Sequence, residues 1–317
     1  MTIFLFLFFC IVGLFWQKSK FLSALIFFFC WSLAWCKDLP DYDVYNYTYQ
    51  QGKMGDIGYD LIANLFLNIG CDYFQFRLFY MGLGLFIFCW FIIKFANRCS
   101  LVSSLYLYSM FLLDVVQYRN FVAFAIILIG IYVLIKYKSP KNNLLYAVIV
   151  CIAGTFHITV LFYLIFIFSK ETIKKISLPV LISVGIACIL IINYFFVTRL
   201  QEKFDAYNYG VSNLTRSLLF ILFIGNLIFV KIWSRKQTQK LNVGNKQLTQ
   251  LQQFFVSKRN QYVLYFNYAL ILILPGAFMS LSALRLYRYM GVINYAYIAD
   301  KFNQDKYNIF NTIILLF

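Results

Sequence analysis

Long apolar runs rich in Phe, Ile, Leu and Val recur along the whole chain, and they constrain its fold more than any motif does. They occupy roughly residues 3–16, 21–35, 78–93, 101–116, 121–135, 144–168, 178–198, 217–230, 262–284 and 289–299, and another starts at 309. A straight helix needs about 20 apolar residues to cross about 30 Å of hydrocarbon, and flanking Tyr, Trp and Lys extend the shorter runs by snorkelling. Of 317 residues, 62% are hydrophobic and 13% charged, against about 45–50% and about 25% in a soluble domain. That balance excludes a disordered chain, a secreted disulfide scaffold and a soluble nucleic-acid binder. The expected fold is all-α, a polytopic integral membrane helix bundle with about 10–12 transmembrane helices in one domain over 1–317.

The charges then orient the bundle. A formal net charge of +16, from 28 basic and 12 acidic residues, must first answer to the excess of Lys and Arg in cytoplasmic loops. The uncharged stretch 144–168, with His157 in its middle, decides the count. Crossed once, it divides the basic residues 12 to 16; as two short helices meeting at His157 it divides them 19 (16 Lys, 3 Arg) to 9 (3 Lys, 6 Arg). The hairpin reading satisfies charge, although each helix is then thin for a full span, so a tilted or re-entrant pair is expected. It puts the amino terminus, the large loop 36–77, residues 114–120, the tip at His157, and loops 199–216 and 285–288 outside. The loop 231–259, rich in Gln, Lys and Asn, is then cytoplasmic. No cleavable signal is expected, because the first apolar run lacks a basic flank and a second follows at once. The run from Ile309 to Phe317 is too short to span.

The eight cysteines show no metal or redox spacing, and no cofactor or metal is expected. Cys36 and Cys71 bracket the large outer loop, where a disulfide is conceivable. P-loop, GxGxxG, HExxH and GxSxG contexts are absent, which argues against an ATP-driven pump or a dinucleotide enzyme. Lysine carries the orientation signal, but Arg77, Arg119, Arg199, Arg216, Arg285 and Arg288 all fall outside. A guanidinium is a planar, permanently charged fork that grips phosphate at two points. This outer set suggests a lipid-linked phosphate or diphosphate as ligand; the plainer alternative is interfacial anchoring or pairing with Asp114 and Asp205.

Loop 36–77 opens with Asp38, Asp41 and Asp43 interleaved with Tyr42, Tyr45 and Tyr47. Carboxylates accept sugar hydroxyls and aromatic faces cover sugar rings, so this run suits carbohydrate. Further on, Tyr59, Ile62, Ala63, Phe66 and Leu67 share one side of an amphipathic stretch expected to lie along the membrane surface. His157, the only histidine, sits in Ala153-Gly154-Thr155-Phe156-His157. Ionisable groups at membrane depth are costly and generally face a cavity. A packed core histidine is the competing reading; next to Arg119 on a neighbouring outer turn, an active-site role is favoured, as proton acceptor or as phosphate partner.

The ordered set of these elements resembles the EpsG-type family of bacterial exopolysaccharide and capsule proteins, relatives of the Wzy O-antigen polymerases. Asp41-Tyr42-Asp43-Val44-Tyr45 matches an early D-Y-x-x-Y element, and Asp56-Ile57-Gly58-Tyr59 is loosely similar to E-P-G-[YF]. Arg119-Asn120-Phe121-Val122-Ala123 corresponds to R-Q-x-x-A, Ala153–His157 to A-x-x-F-H, and Arg285-Leu286-Tyr287-Arg288-Tyr289 to a late R-x-x-[YR] turn. Asn120 stands where Gln is usual, and Asp56-Ile57 where Glu-Pro is usual, so a role of that Glu would fall to a shorter side chain.

The resemblance implies a multi-pass protein of the bacterial cytoplasmic membrane that polymerises lipid-linked oligosaccharide repeat units at its outer face. Undecaprenyl diphosphate carries the growing saccharide, and its departure calls for fixed cations. Arg119 and Arg288 are the first candidates, with Arg285, Arg77 and Arg216 behind them. The acceptor hydroxyl needs a base, from Asp41, Asp43 or His157, while Asp43, Tyr45 and Tyr59 are candidates for holding substrate. Expected partners are the lipid-linked oligosaccharide, membrane lipids and other polysaccharide-assembly proteins, with no nucleic acid. The rivals are a flippase for the same lipid-linked oligosaccharide, disfavoured by the lack of an internal repeat, and a polytopic acyltransferase. The second rival lacks a carboxylate beside the histidine in Phe156-His157-Ile158-Thr159. A non-enzymatic scaffold is a third.

Overall fold

The computed structural model describes residues 2–39, 41–136, 141–167, 225, 259, 261–267, 269, 270 and 281–299, and these contain helices and no strand. The helices are α1 (Thr2–Phe15), α2 (Lys20–Leu33), α3 (Tyr42–Gln50), α4 (Ile57–Asn68), α5 (Tyr73–Phe95), α6 (Cys99–Ser109), α7 (Phe111–Val116), α8 (Tyr118–Lys136) and α9 (Lys141–Phe156). A 3-10 helix (Ile158–Ile167) and α10 (Leu281–Ala299) follow. The runs 178–198 and 217–230 (Gly225 apart), loop 199–216, nearly all of loop 231–259 and residues 309–317 lie outside the described residues.

Length and apolarity make α5 and α8 capable of crossing a membrane. At 1.5 Å per residue they extend about 34 Å and about 29 Å. Asp72 starts α5 with a capping box, accepting from Gln75 N at 2.8 Å while the Gln75 side chain returns to Asp72 N at 3.0 Å. Ser19 caps α2 by accepting from Leu22 N. These caps satisfy amide donors that the first helical turn leaves open.

Polarity is distributed as lipid-facing helices require. Phe4, Phe15, Phe21, Phe28 and Phe86 are exposed, while Ser23, Ser100, Ser103 and Ser104 are buried. Ser23 and Ser103 share a 2.6 Å hydrogen bond between α2 and α6, and Ser104 donates to Phe9 O at 2.8 Å. Small residues allow this approach: a Cβ on Gly13 of α1 would fall 1.8 Å from Ser104 Oγ. Such small-residue, hydroxyl-bonded contacts are how helices associate where burial of apolar surface gives no advantage over lipid.

Two apolar runs are divided, 101–116 against expectation and 144–168 in line with it. The run 101–116 breaks at Met110 between α6 and α7, its backbone leaving helical geometry at φ −124° and ψ −35°. Ser109 just before it donates to Leu105 O and accepts from Tyr295 Oη. Stretch 144–168 is two elements meeting at His157. The 3-10 helix folds back along α9, since Tyr146 Oη donates to Tyr163 O at 2.9 Å although His157 lies between them.

The chain divides into two compact units, Met1–Leu164 with Tyr295–Phe317, and Ile165–Asn294. In the first, α8 packs on α5 and α9, and loop 36–77 supplies α3 and α4 against α5 and α9. Tyr59 and Ala63 of α4 are buried inside the fold, whereas Ile57, Leu61 and Leu65 form an exposed apolar stripe. Cys36 and Cys71 are free thiols. In the second unit Phe166 stacks on Phe266 at 4.1 Å, and Asn267 and Asn294 exchange amide hydrogen bonds at 2.8 and 3.0 Å.

Candidate active site

Three chain breaks converge in the first unit: the start of α4, the start of α8 and the turn after α9. Asp56 is the N-cap residue of α4, Arg119 is the second residue of α8, and His157 follows the last residue of α9. Gly58 lets α4 approach α9, because a Cβ there would fall 2.4 Å from Thr155 Oγ1 and 3.1 Å from the Thr155 carbonyl carbon. His157 is anchored through its backbone, donating N–H to Ala153 O and accepting from Val160 N. Its neighbour Thr159 reaches Asn120 Oδ1 at 3.5 Å, which links the turn to α8.

Arg119 Nη1 donates to Asp56 Oδ2 at 2.8 Å, and His157 Nδ1 lies 3.6 Å from the same oxygen. The side chains retain 21%, 16% and 22% of their exposure respectively, so all three remain reachable from outside the fold. Arg119 Nε and His157 Nδ1 make no hydrogen bond among the described residues. The guanidinium carbon lies 5.3 Å from the Tyr45 ring centroid and 5.7 Å from that of Tyr59, within cation–π distance of both.

A tyrosine cluster backs the arginine. Tyr59 Oη and Tyr118 Oη share a 2.6 Å hydrogen bond, and Tyr73 Oη donates to Tyr118 Oη at 3.4 Å. The Tyr45 ring meets Tyr118 edge-on at 5.1 Å. Burial pushes the Tyr59 hydroxyl far above its usual range, outweighing the lowering by its bond to Tyr118. It therefore stays a neutral hydrogen-bonding group, and the cluster presents Arg119 with ring faces rather than with a competing anion.

A family model, the EpsG family, matches residues 19–317. The chain belongs to the EpsG family. No curated protein and no solved structure matches it. EpsG proteins are Wzy-like exopolysaccharide polymerases, which gives this chain a polymerase-like, glycosyltransferase-like role in exopolysaccharide biosynthesis, acting on lipid-linked oligosaccharide in the membrane. The helical, apolar architecture is that of an integral membrane protein.

Within this EpsG chain the expected site residues separate. Arg119, His157, Tyr45 and Tyr59 come together. Asp41 and Asp43 are exposed just before and on α3, and among the described residues neither side chain shares an ion pair with Arg119 or His157. Asp41 adopts a left-handed φ of 67° and makes no side-chain cap. Arg77 is 1% exposed and donates from Nη1 to Cys36 O at 2.9 Å, pinning the start of the outer loop to α5, with its guanidinium 5.7 Å from the Tyr42 ring centroid. Arg285 and Arg288 belong to the second unit, where Arg288 lies 4.9 Å from the Tyr289 ring centroid. Arg216 lies outside the described residues. No group of three His, Cys, Asp or Glu among the described residues is placed to hold one metal ion.

Asp56 is the member that reading the sequence left out of the site. The available signal was its position in the Asp56-Ile57-Gly58-Tyr59 element, two residues ahead of the glycine that brings α4 onto α9.

Proposed function

We propose that this protein joins undecaprenyl-diphosphate-linked oligosaccharide repeat units into exopolysaccharide, capsule or O-antigen at the outer face of the cytoplasmic membrane. The carrying observation is that an arginine and the chain's only histidine meet on one carboxylate in an EpsG chain. In the reaction, the acceptor hydroxyl oxygen bonds to the anomeric carbon of the donor saccharide. The bond from that carbon to the diphosphate oxygen breaks, and its electron pair leaves with the polyprenyl diphosphate. Arg119 stabilises the charge developing on the diphosphate, the work for which fixed cations in a partly dry site are best suited. His157 takes the proton from the acceptor hydroxyl.

Arg288, Arg285 and Arg216 are proposed as further cationic contacts along the lipid-linked substrate, and Asp41, Asp43 and Tyr45 as sugar contacts, whereas the buried Arg77 and Tyr59 act through the packing of the loop and of Arg119. The hairpin topology, with His157 and loop 36–77 outside and 231–259 inside, belongs to the same proposal and is supported by the 19 to 9 division of basic residues.

The test is complementation of a strain lacking the gene with wild type, Arg119→Ala or His157→Ala, reading the length of lipid-linked glycan. Loss of polymer with single repeat units at the outer face supports the reading. Units retained at the inner face would make the protein a flippase, and normal chain length in both variants would sink the site assignment.

A further inference from the structure

An N-cap aspartate ordinarily accepts a hydrogen bond from an amide in its own first helical turn. Asp56 makes no such bond. Its carboxylate is turned instead toward Arg119 and His157, and one oxygen, Oδ2, serves both. The 2.8 Å contact to Arg119 Nη1 is a charge-assisted hydrogen bond, whereas the 3.6 Å approach to His157 Nδ1 stops short of one. Closing that gap takes roughly half an ångström. Nδ1 meanwhile has no hydrogen-bond partner among the described residues.

These distances describe a carboxylate committed to one cation and poised beside another. A diphosphate bound by Arg119 competes with Asp56 for the same guanidinium, with more charge and with oxygens spaced for two-point contact. It also repels the carboxylate. Away from that guanidinium, His157 Nδ1 stands 3.6 Å from Oδ2 and has no hydrogen-bond partner among the described residues. A carboxylate on Nδ1–H fixes the imidazole tautomer, leaves Nε2 as the basic nitrogen and stabilises the imidazolium that forms when Nε2 takes a proton.

We infer that Asp56 is a positioning residue that passes from Arg119 to His157 when the donor diphosphate binds, so that the base is armed only when a donor is loaded. This rests on the proposed polymerase reading, with Arg119 as diphosphate contact and His157 as base. The proton balance is that of the transfer itself: the acceptor proton ends on Nε2, Nδ1–H stays bonded to Asp56, and the diphosphate leaves with the electron pair. Once product diphosphate departs, Asp56 returns to Arg119.

The hand-over makes Asp56 oppose diphosphate binding and support turnover, a combination that no purely structural role produces. The experiment uses the full-length protein in phospholipid nanodiscs, with inorganic diphosphate as binding probe and the lipid-linked repeat accumulated by cells lacking the protein as substrate. For Asp56→Asn the expected result is inorganic diphosphate bound about tenfold tighter and turnover lowered about 100-fold. Asp56→Glu, which keeps the charge, is expected to bind diphosphate as wild type does and to retain at least about a tenth of turnover. Weaker diphosphate binding by Asp56→Asn would reduce Asp56 to a scaffold for Arg119, and unchanged turnover would remove it from the reaction; either overturns the hand-over. So would a Glu variant without turnover, which also carries the test if the Asn variant is not monodisperse. Failure of the underlying reading looks different: Arg119→Ala then binds diphosphate and elongates the repeat like wild type, and the hand-over falls with it.

Discussion

At the residue scale, Arg119 is set apart by what its shape can do. It sits against two tyrosine rings and one carboxylate, with Nε free of any described partner. Arg119→Lys keeps the charge and loses the planar fork. It should lower polymer formation about 100-fold, measured as turnover on the lipid-linked repeat; near-normal turnover would make the side chain a point charge only. Behind it, Tyr118→Phe strips the Tyr59 hydroxyl of its 2.6 Å partner and the Tyr73 hydroxyl of its 3.4 Å partner. Leaving buried hydroxyls unpaired costs about 1–3 kcal/mol, which a thermal melt in detergent will register as a lowered midpoint. Arg119 and His157 stood out in the sequence as an arginine on the outer side of the charge count and as the one histidine, set between two apolar runs. Asp56 was legible only as the acid of the Asp56-Ile57-Gly58-Tyr59 element, and it was not named as a site residue because loop 36–77 holds several other acids. The more conspicuous Asp41 and Asp43 are the ones left in solvent.

At the scale of elements, the site depends on how closely α4 lies on α9. Gly58 governs that distance, because the space a side chain would need is taken by Thr155. Gly58→Ala should therefore lift the start of α4 and carry Asp56 away from Arg119 and His157. Displacements of about 1 Å in a catalytic arrangement cost about 100-fold in rate, so the variant should insert and express normally yet make little polymer. Wild-type chain length from it would mean that the approach of α4 to α9 does not set the site. Elements were unevenly legible. The turn at His157 showed itself twice, in charge balance and in a polar residue placed between apolar runs. The break at Met110 left no such trace: Met110 and Phe111 are themselves apolar, and the interruption coincides with Ser109, whose hydroxyl meets Tyr295 far along the chain. A tertiary contact of that kind has no local signature.

At the scale of the whole molecule, charge and site geometry bear on the same question from independent directions. The division of Lys and Arg places His157 outside only if stretch 144–168 is a hairpin, and the chain does fold back there, through the bond from Tyr146 to Tyr163 O. Asp56 and Arg119 come from loop 36–77 and from residues 114–120, which the charge count also puts outside. Because Arg119 and His157 both lie within ion-pair distance of the one Asp56 carboxylate oxygen, the three must open to the same face of the membrane, whichever face that is. Single cysteines at positions 56, 157 and 240, in a background with the eight native cysteines replaced, separate these statements. A membrane-impermeant maleimide should label 56 and 157 in intact spheroplasts and 240 only after permeabilisation. Opposite labelling of 56 and 157 would contradict the site itself. Shared labelling of both from the inside would preserve the site and reverse the protein, and the polymerase reaction would then face the cytoplasm. Equal outside labelling of 157 and 240 would dissolve the hairpin, leaving 144–168 as a single span and the basic residues divided 12 to 16, a balance too even to orient a membrane protein.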